Sequence, residues 1–408
     1  MRTGGEHTSR DFYGGVSRVL DRMTLIENAL SEEHREIRDR AASFAADVVE
    51  PEAERIERTD EFPREVIEQA GERGILGILL PEAYGGEGSD FLSYCLAIEQ
   101  IAQASGAVAE SIHGHIFAAL PIATFGTEEQ KETHLEPMIR GESVGSMLLT
   151  EPDAGSSPTE LSTVAAERDD GDGYRLSGEK SFGTNAGVAD VHLVVARKQP
   201  APEDGHGVSV FLAPGVDDRE GFTFDRSEFM GMRGHVTGDS TLEGVPVDRS
   251  ALLGEVGQGF RIAMGTIDMA RTGLGAIGTG IATAAFEEAL EYAGDREQGG
   301  QAVGKYQAVQ VLIAEMDARL DGARHLVYDS AAAIADDDAS TRQSSKAKYV
   351  ASDTAEFVTR NAIQVHGGKG YRTDLPLERY YRDAKILSII GGTTEIQKTT
   401  VASNALGL

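Results

Sequence analysis

The sequence predicts an α+β fold: an N-terminal α-helical domain, a middle β domain of barrel or sandwich type, and a C-terminal four-helix bundle. Three observations predict it. Helical periodicity dominates up to about residue 147. A hairpin signal and short strand-like runs then fill about a hundred residues. From Gly257 onward the apolar pattern turns helical again, and Phe260 to Tyr292 runs without a proline. The expected organisation is a flexible leader at 1–23, a helical domain at 24–147, a β domain at 148–255 and a helical bundle at 256–408.

In the first region Ser31 is placed to cap the run Glu32 to Val49, where Ile37, Ala41, Phe44 and Val48 form one apolar stripe. Pro63 opens the run Arg64 to Gly74. Pro81-Glu82-Ala83-Tyr84-Gly85-Gly86 reads as a turn before the helix that holds Cys95. Thr127, followed by Glu128 and Glu129, reads as a capped helix start.

In the middle region Asp169-Asp170-Gly171-Asp172-Gly173 joins Thr163–Arg168 to Tyr174–Ser181, a hairpin signal. Val191–Ala196 and Val208–Leu212 read as strands ended by Pro200 and Pro214. The expected bundle helices are Phe260–Tyr292, Gln307–Ala335, Thr341–Gln364 and Ile386–Leu406, with Asp336-Asp337-Asp338 as a solvated connection. No internal repeat is visible.

Composition narrows the function classes. The 408 residues carry 67 acidic and 38 basic side chains, a net charge of −29. Such a surface disfavours nucleic acid, whose backbone needs clustered Lys and Arg. Acid-rich, lysine-poor surfaces suit molar salt, so a halophilic source is expected. The single cysteine, Cys95, excludes an intrachain disulfide and a cysteine metal site, and its apolar setting predicts a buried thiol. No run is apolar and long enough to span a membrane, and the polar first residues lack a signal-peptide core. A cytoplasmic protein is expected. No Gly-x-Gly-x-x-Gly follows a strand, so a Rossmann fold is not supported.

Four strips carry chemistry: Leu148-Leu149-Thr150-Glu151-Pro152-Asp153-Ala154-Gly155-Ser156, Lys180-Ser181-Phe182-Gly183-Thr184-Asn185-Ala186-Gly187, Ile363-Gln364-Val365-His366-Gly367-Gly368, and Ile389-Ile390-Gly391-Gly392-Thr393-Thr394-Glu395-Ile396-Gln397. Together they resemble the flavin-dependent acyl-CoA dehydrogenases, over essentially residues 24 to 408. The order helical, β, helical is also that of this family. The resemblance implies FAD as cofactor and α,β-dehydrogenation of an acyl-CoA thioester, within fatty acid metabolism. It implies an electron-transfer flavoprotein as acceptor.

By the same resemblance Thr150, Phe182 and Thr184 meet the flavin ring, and Ser156 lies near both flavin and CoA. Phe182 stands where the family usually has tryptophan, keeping the stacking surface without the N–H. Arg296, Gln364 and Gly368 match positions at the FAD of a neighbouring subunit, and Gln307 matches the family's adenine-side glutamine. Thr393 and Glu395 match the phosphate and ribose end. A homodimer or homotetramer is therefore expected, with a hetero-oligomer as an alternative.

The family's catalytic glutamate is missing. In the commonest branch it immediately precedes the Gly-Thr pair, and here that residue is Gly391. In a second branch it precedes an arginine matching Arg271, a substrate-side residue, and here it is Ala270. Removal of an α-proton needs a base. The remaining candidates are His113, His115 and Asp268. The functional expectation is a dehydrogenase with a relocated base. The alternatives are a silent subunit that depends on a partner, and a family flavoenzyme with other chemistry, such as enoyl reduction or a non-CoA substrate.

Overall fold

The computed structural model describes residues 28–157, 160–201, 207–216, 219–336 and 340–408. The leader expected at 1–23 lies outside them, as do Asp337 and Asp338. Helices α1 (Glu32–Phe44) and α2 (Glu50–Thr59) are joined by a π-helical turn, Ala45–Val49. Ser31 caps α1 through a capping box with His34. Next come α3 (Arg64–Glu72), α4 (Phe91–Ala104), α5 (Gly106–Phe125) and α6 (Glu128–Ile139). Thr127 and Gln130 form the expected capping box on α6.

The middle region is one eight-stranded sheet: β1 (Gly145–Leu148), β2 (Val164–Glu167), β3 (Gly173–Ser181), β4 (Val191–Gln199), β5 (Val208–Pro214), β6 (Phe222–Arg226), β7 (Gly238–Asp248) and β8 (Leu252–Leu253). Its path is β6-β7-β3-β2-β4-β5-β8, with β1 parallel to β4. The hairpin falls at β2–β3, as its turn predicts. Alternation along β4 and β5 sorts the two faces. Val191, Leu193, Val195, Val210 and Leu212 pack on α5 and α6, with Ile262 and Ala263 of the next helix. Val194, Ala196, Phe211 and Ala213 pack inward against Tyr174, Leu176, Leu242 and Val245. The sheet thus encloses a core of its own, as a barrel does, and is clothed by helices outside.

The C-terminal part is built on α7 (Gly259–Asp295), α8 (Gln307–Ala335) and α9 (Thr341–His366), with a small β9–β10 hairpin (Glu297–Gln298, Gln301–Ala302) between the first two. The helix expected over Ile386–Leu406 is instead two helices, α10 (Leu377–Ile386) and α11 (Thr394–Leu406). Gly391 and Gly392 stand in the break with φ of +64° and +93°. That left-handed backbone ends a helix, and Thr393 restarts one by accepting a hydrogen bond from the Ile396 N–H. α7 packs against α4, α5, α8 and α9. A buried polar group ties three of these together. Arg324 on α8 donates to Glu99 on α4 at 2.7 Å and to Thr283 on α7 at 2.6 Å, and the Tyr328 hydroxyl donates to Glu99 at 2.7 Å.

Candidate active site

The Thr150–Ser156 turn is held by a buried ion pair. Glu151 accepts from Lys180 at 2.8 Å, from the backbone and hydroxyl of Ser162, and from the Thr163 N–H at 3.0 Å. Burial opposes the Glu151 charge, but these donors overcome it and hold the carboxyl down at about 2. Lys180 also donates to the Leu149 carbonyl, and the Ser181 N–H to that of Thr150. Glu151 is therefore a brace for the turn.

Beyond β3 the chain turns sharply. Phe182 and Asn185 take φ of +59° and +64°, fixed by hydrogen bonds from their N–H groups to the carbonyls of Gly238 and Val236. Phe182 is left 60 % exposed. Thr184 presses on α5, where a Cβ added at Gly114 would lie 2.1 Å from its methyl carbon. Asn185 crosses to the same helix, donating to the Ser111 carbonyl at 3.0 Å. Thr150 is part-buried and Ser156 is exposed on the turn.

The loop at Gly391 faces α7 and α9. The Gly391 carbonyl accepts from Arg271 Nε at 3.1 Å and from Gln397 Nε2 at 2.9 Å. The Gly392 carbonyl accepts from Gln397 and from Lys348 Nζ at 2.8 Å. Lys348 is fully buried; burial and then the neighbouring Arg271 charge lower it to about 7. Asp268, offered by the sequence as a base, is already committed: it binds Arg271 at 2.5 Å and accepts from the Thr341 hydroxyl at 2.7 Å. Ala270 brings no polar side chain.

The two histidines separate. His115 has both ring nitrogens bound to backbone: Nδ1 accepts from the Gly145 N–H at 3.1 Å, and Nε2 donates to the Met138 carbonyl at 3.0 Å. It pins β1 to α5 and α6 and has no nitrogen left for a substrate. His113 hydrogen-bonds the Tyr94 hydroxyl through Nδ1 at 2.6 Å and rests on Gly273 of α7. Burial lowers it to about 3, far below what a base working near neutral pH requires.

Three groups here are absent from the sequence-based expectations: Lys348, Glu110 and His235. Glu110 is 4 % exposed and its Oε2 has no hydrogen-bond partner. It had a visible signal, being the one acid in the predominantly apolar helix Gly106–Phe125.

The remaining expected cofactor residues lie elsewhere. Arg296, Gln307, Gln364 and Gly368 are exposed at the end of the bundle where α7 and α9 finish and α8 begins. Tyr292 stacked on His366, at 4.2 Å between ring centroids, joins the two finishing helices there. Thr393 and the exposed Glu395 sit with Gly391 near Arg271, towards the opposite end.

The residues present fit a flat aromatic cofactor. A large aromatic ring is held in the open by a fixed backbone turn, next to Thr184, which makes no hydrogen bond among the described residues. Thr184 in turn rests on the buried helix α5 at Gly114. Fold and site together define a flavoprotein oxidoreductase acting on a CH–CH pair. Family models for the N-terminal, middle and C-terminal domains of acyl-CoA dehydrogenase match residues 31–142, 146–245 and 257–406. The chain belongs to the acyl-CoA dehydrogenase family, and its cofactor is FAD.

It is 39% identical over 379 residues to a 3-(aryl)acrylate reductase from Clostridium sporogenes, covering 92% of this chain and 99% of that one. It is 35% identical over 380 residues to the CarC subunit of a caffeyl-CoA reductase–Etf complex from Acetobacterium woodii, with the same coverage. Among solved structures, butyryl-CoA dehydrogenase from Megasphaera elsdenii superposes with a TM-score of 0.88 at 36% identity, covering 92% of this chain and 99% of that one.

Proposed function

We propose that this enzyme moves hydrogen across the α,β-carbon pair of an acyl thioester without an acid at either family position. Bound flavin supplies the two-electron acceptor. Phe182 would cover one face of its ring, and Thr150 and Thr184 would hydrogen-bond its edge. Ser156 and Arg271 lie on the substrate side. The observation that carries this reading is the Thr184–Gly114 contact, which brings the flavin-edge strip against the buried wall of α5. That wall excludes water, so donors at the thioester carbonyl gain strength.

The acceptor we propose is an electron-transfer flavoprotein, in keeping with the Etf complex of the Acetobacterium relative. The test is anaerobic titration with a panel of acyl-CoA thioesters while following flavin absorbance. Bleaching by the pure chain supports the reading. Bleaching only after Gly391→Glu points to a subunit that depends on a partner for its base. A second reading, reduction of an enoyl thioester, is favoured by the two reductases among the relatives. It is tested by reoxidation of the chemically reduced flavin with a 2-enoyl-CoA.

A further inference from the structure

Gly106, Glu110 and Gly114 are spaced four apart on α5 and so lie on one face. Both glycines are pressed against other parts of the protein. A Cβ at Gly106 would lie 2.9 Å from Ile281 and 3.3 Å from Met232, and one at Gly114 would lie 2.1 Å from Thr184. Glu110 stands between these contacts on the helix, one turn from Gly114, which the threonine assigned to the flavin edge touches. His113, three residues on, borders the same face and rests on Gly273.

The polar atoms near Glu110 are unpaired to an unusual degree. Glu110 Oε2, Asn185 Oδ1 and His235 Nε2 are all buried without a hydrogen-bond partner. Asn185 links the segments that carry them: it follows Thr184, donates its side-chain amide to the carbonyl of Ser111, next to Glu110, and donates its N–H to the carbonyl of Val236, next to His235. A buried carboxyl without a partner costs several kcal/mol when charged, so such a group calls for a role. None of the alternatives is comparably free. His115 and Asp268 are fully committed, Glu151 is paired with Lys180, and Lys348 holds the Gly392 carbonyl.

We propose that Glu110 is the acid–base group of this enzyme, its carboxyl exchanging the proton at the thioester α-carbon in place of the glutamates absent at Gly391 and Ala270. This rests on the functional reading above. In oxidation the Cα–H bond breaks, the proton goes to Glu110, and the electron pair stays to form the Cα–Cβ double bond. The hydrogen at Cβ leaves with its own pair for the flavin. In reduction Glu110 returns the proton to Cα.

Desolvation lifts the Glu110 carboxyl to about 8. The titratable groups around it are Tyr94 from α4, His113 from α5 and His235 from the loop before β7, with Asp383 of α10 bound to the Met232 N–H behind. Burial raises Tyr94 and lowers both histidines, so all three are neutral at pH 7 and none supplies a counter-charge. At neutral pH the resting enzyme therefore holds a protonated Glu110, the form needed to donate to an enoyl thioester. Oxidation of an acyl thioester then rises with pH through about 8.

The test compares wild type, Glu110→Gln and Glu110→Asp, all as FAD-loaded protein. Infrared spectra at pH 7 should show a protonated carboxyl band that Glu110→Gln lacks and that titrates away near pH 8 in wild type. With acyl-CoA thioesters, Glu110→Gln should retain FAD yet bleach at least ~100-fold more slowly. Glu110→Asp should recover part of the rate with a displaced pH midpoint. An undiminished rate in Glu110→Gln, or an infrared spectrum unchanged by it, overturns the assignment and leaves the functional reading standing. Wild-type protein that takes up no FAD removes the functional reading instead.

Discussion

His115 illustrates how a residue type can suggest chemistry that its contacts deny. Its two nitrogens serve Gly145 and Met138, both in buried backbone. His115→Ala should lower the unfolding free energy by about 3 kcal/mol, because two buried backbone groups lose their partner. Denaturant titration checks this, and a loss below the error of the method would remove the bracing role. The buried titratable groups also set a pH window. His113, His115 and His235 are depressed to about 3, 4 and 4. The folded state refuses protons that the unfolded chain accepts near 6.5. Their contribution is therefore present above pH 6.5 and is lost as pH falls through 4. Glu110, raised to about 8, acts in the opposite sense. Its contribution is present below its unfolded value and is lost as pH rises through 8. Glu110→Gln should therefore gain stability relative to wild type between pH 6 and 9, measured as the midpoint of urea unfolding.

At the scale of elements, the sequence was most legible where local chemistry alone decides the outcome. The caps at Ser31 and Thr127, the Asp-Gly hairpin and the run Gln307–Ala335 all appear at the residues their signals mark. The Gly391-Gly392-Thr393 break was missed because apolar periodicity continues from Ile386 through Ile396, although the glycine pair and the following threonine are a stop and a start. The Arg271–Asp268 pair is a local i,i+3 contact, but the Thr341 hydroxyl that completes the commitment of Asp268, and the seclusion of Glu110, depend on contacts between elements distant in sequence, which no local pattern encodes. The break yields a prediction. Gly391→Glu places a side chain at φ +64°, with its Cβ 2.5 Å from a Leu274 methyl carbon. The methyl can shift, so the cost is chiefly the left-handed backbone, about 1–2 kcal/mol. Melting temperature should fall by about 3 °C. The Glu99–Arg324 pair is more exacting. Arg324→Leu strands Glu99 in the interior and should cost about 3–5 kcal/mol, whereas an equal melting temperature would show that the helices repack around it.

At the scale of the whole molecule the placement of the expected FAD residues argues for a second copy. Arg271, beside the Gly391 loop, and Arg296, at the α7 terminus, are 25 residues apart in sequence on one continuous helix. At 1.5 Å per residue that is about 38 Å, farther than one extended flavin dinucleotide reaches. Phe182 and Thr184 belong with the first end, through Gly114 and the His113–Gly273 contact. Gln364 and Gly368 belong with the second, through Tyr292 and His366. If both sets serve FAD, each cofactor must take its ring contacts from one chain and its contacts with Arg296, Gln364 and Gly368 from another. The net charge of −29 opposes such an association, so it should tighten as salt screens it. Complementation separates a shared site from a self-contained one. Phe182→Ala and Arg296→Ala should each lose FAD. When the two are mixed and allowed to exchange subunits in 2 M KCl, half the dimers become hybrids. One site in each hybrid carries neither substitution and the other carries both, so roughly a quarter of all sites should regain flavin. Absorbance after gel filtration measures it, and mixtures as colourless as the separate variants would mean that each chain must hold its cofactor alone.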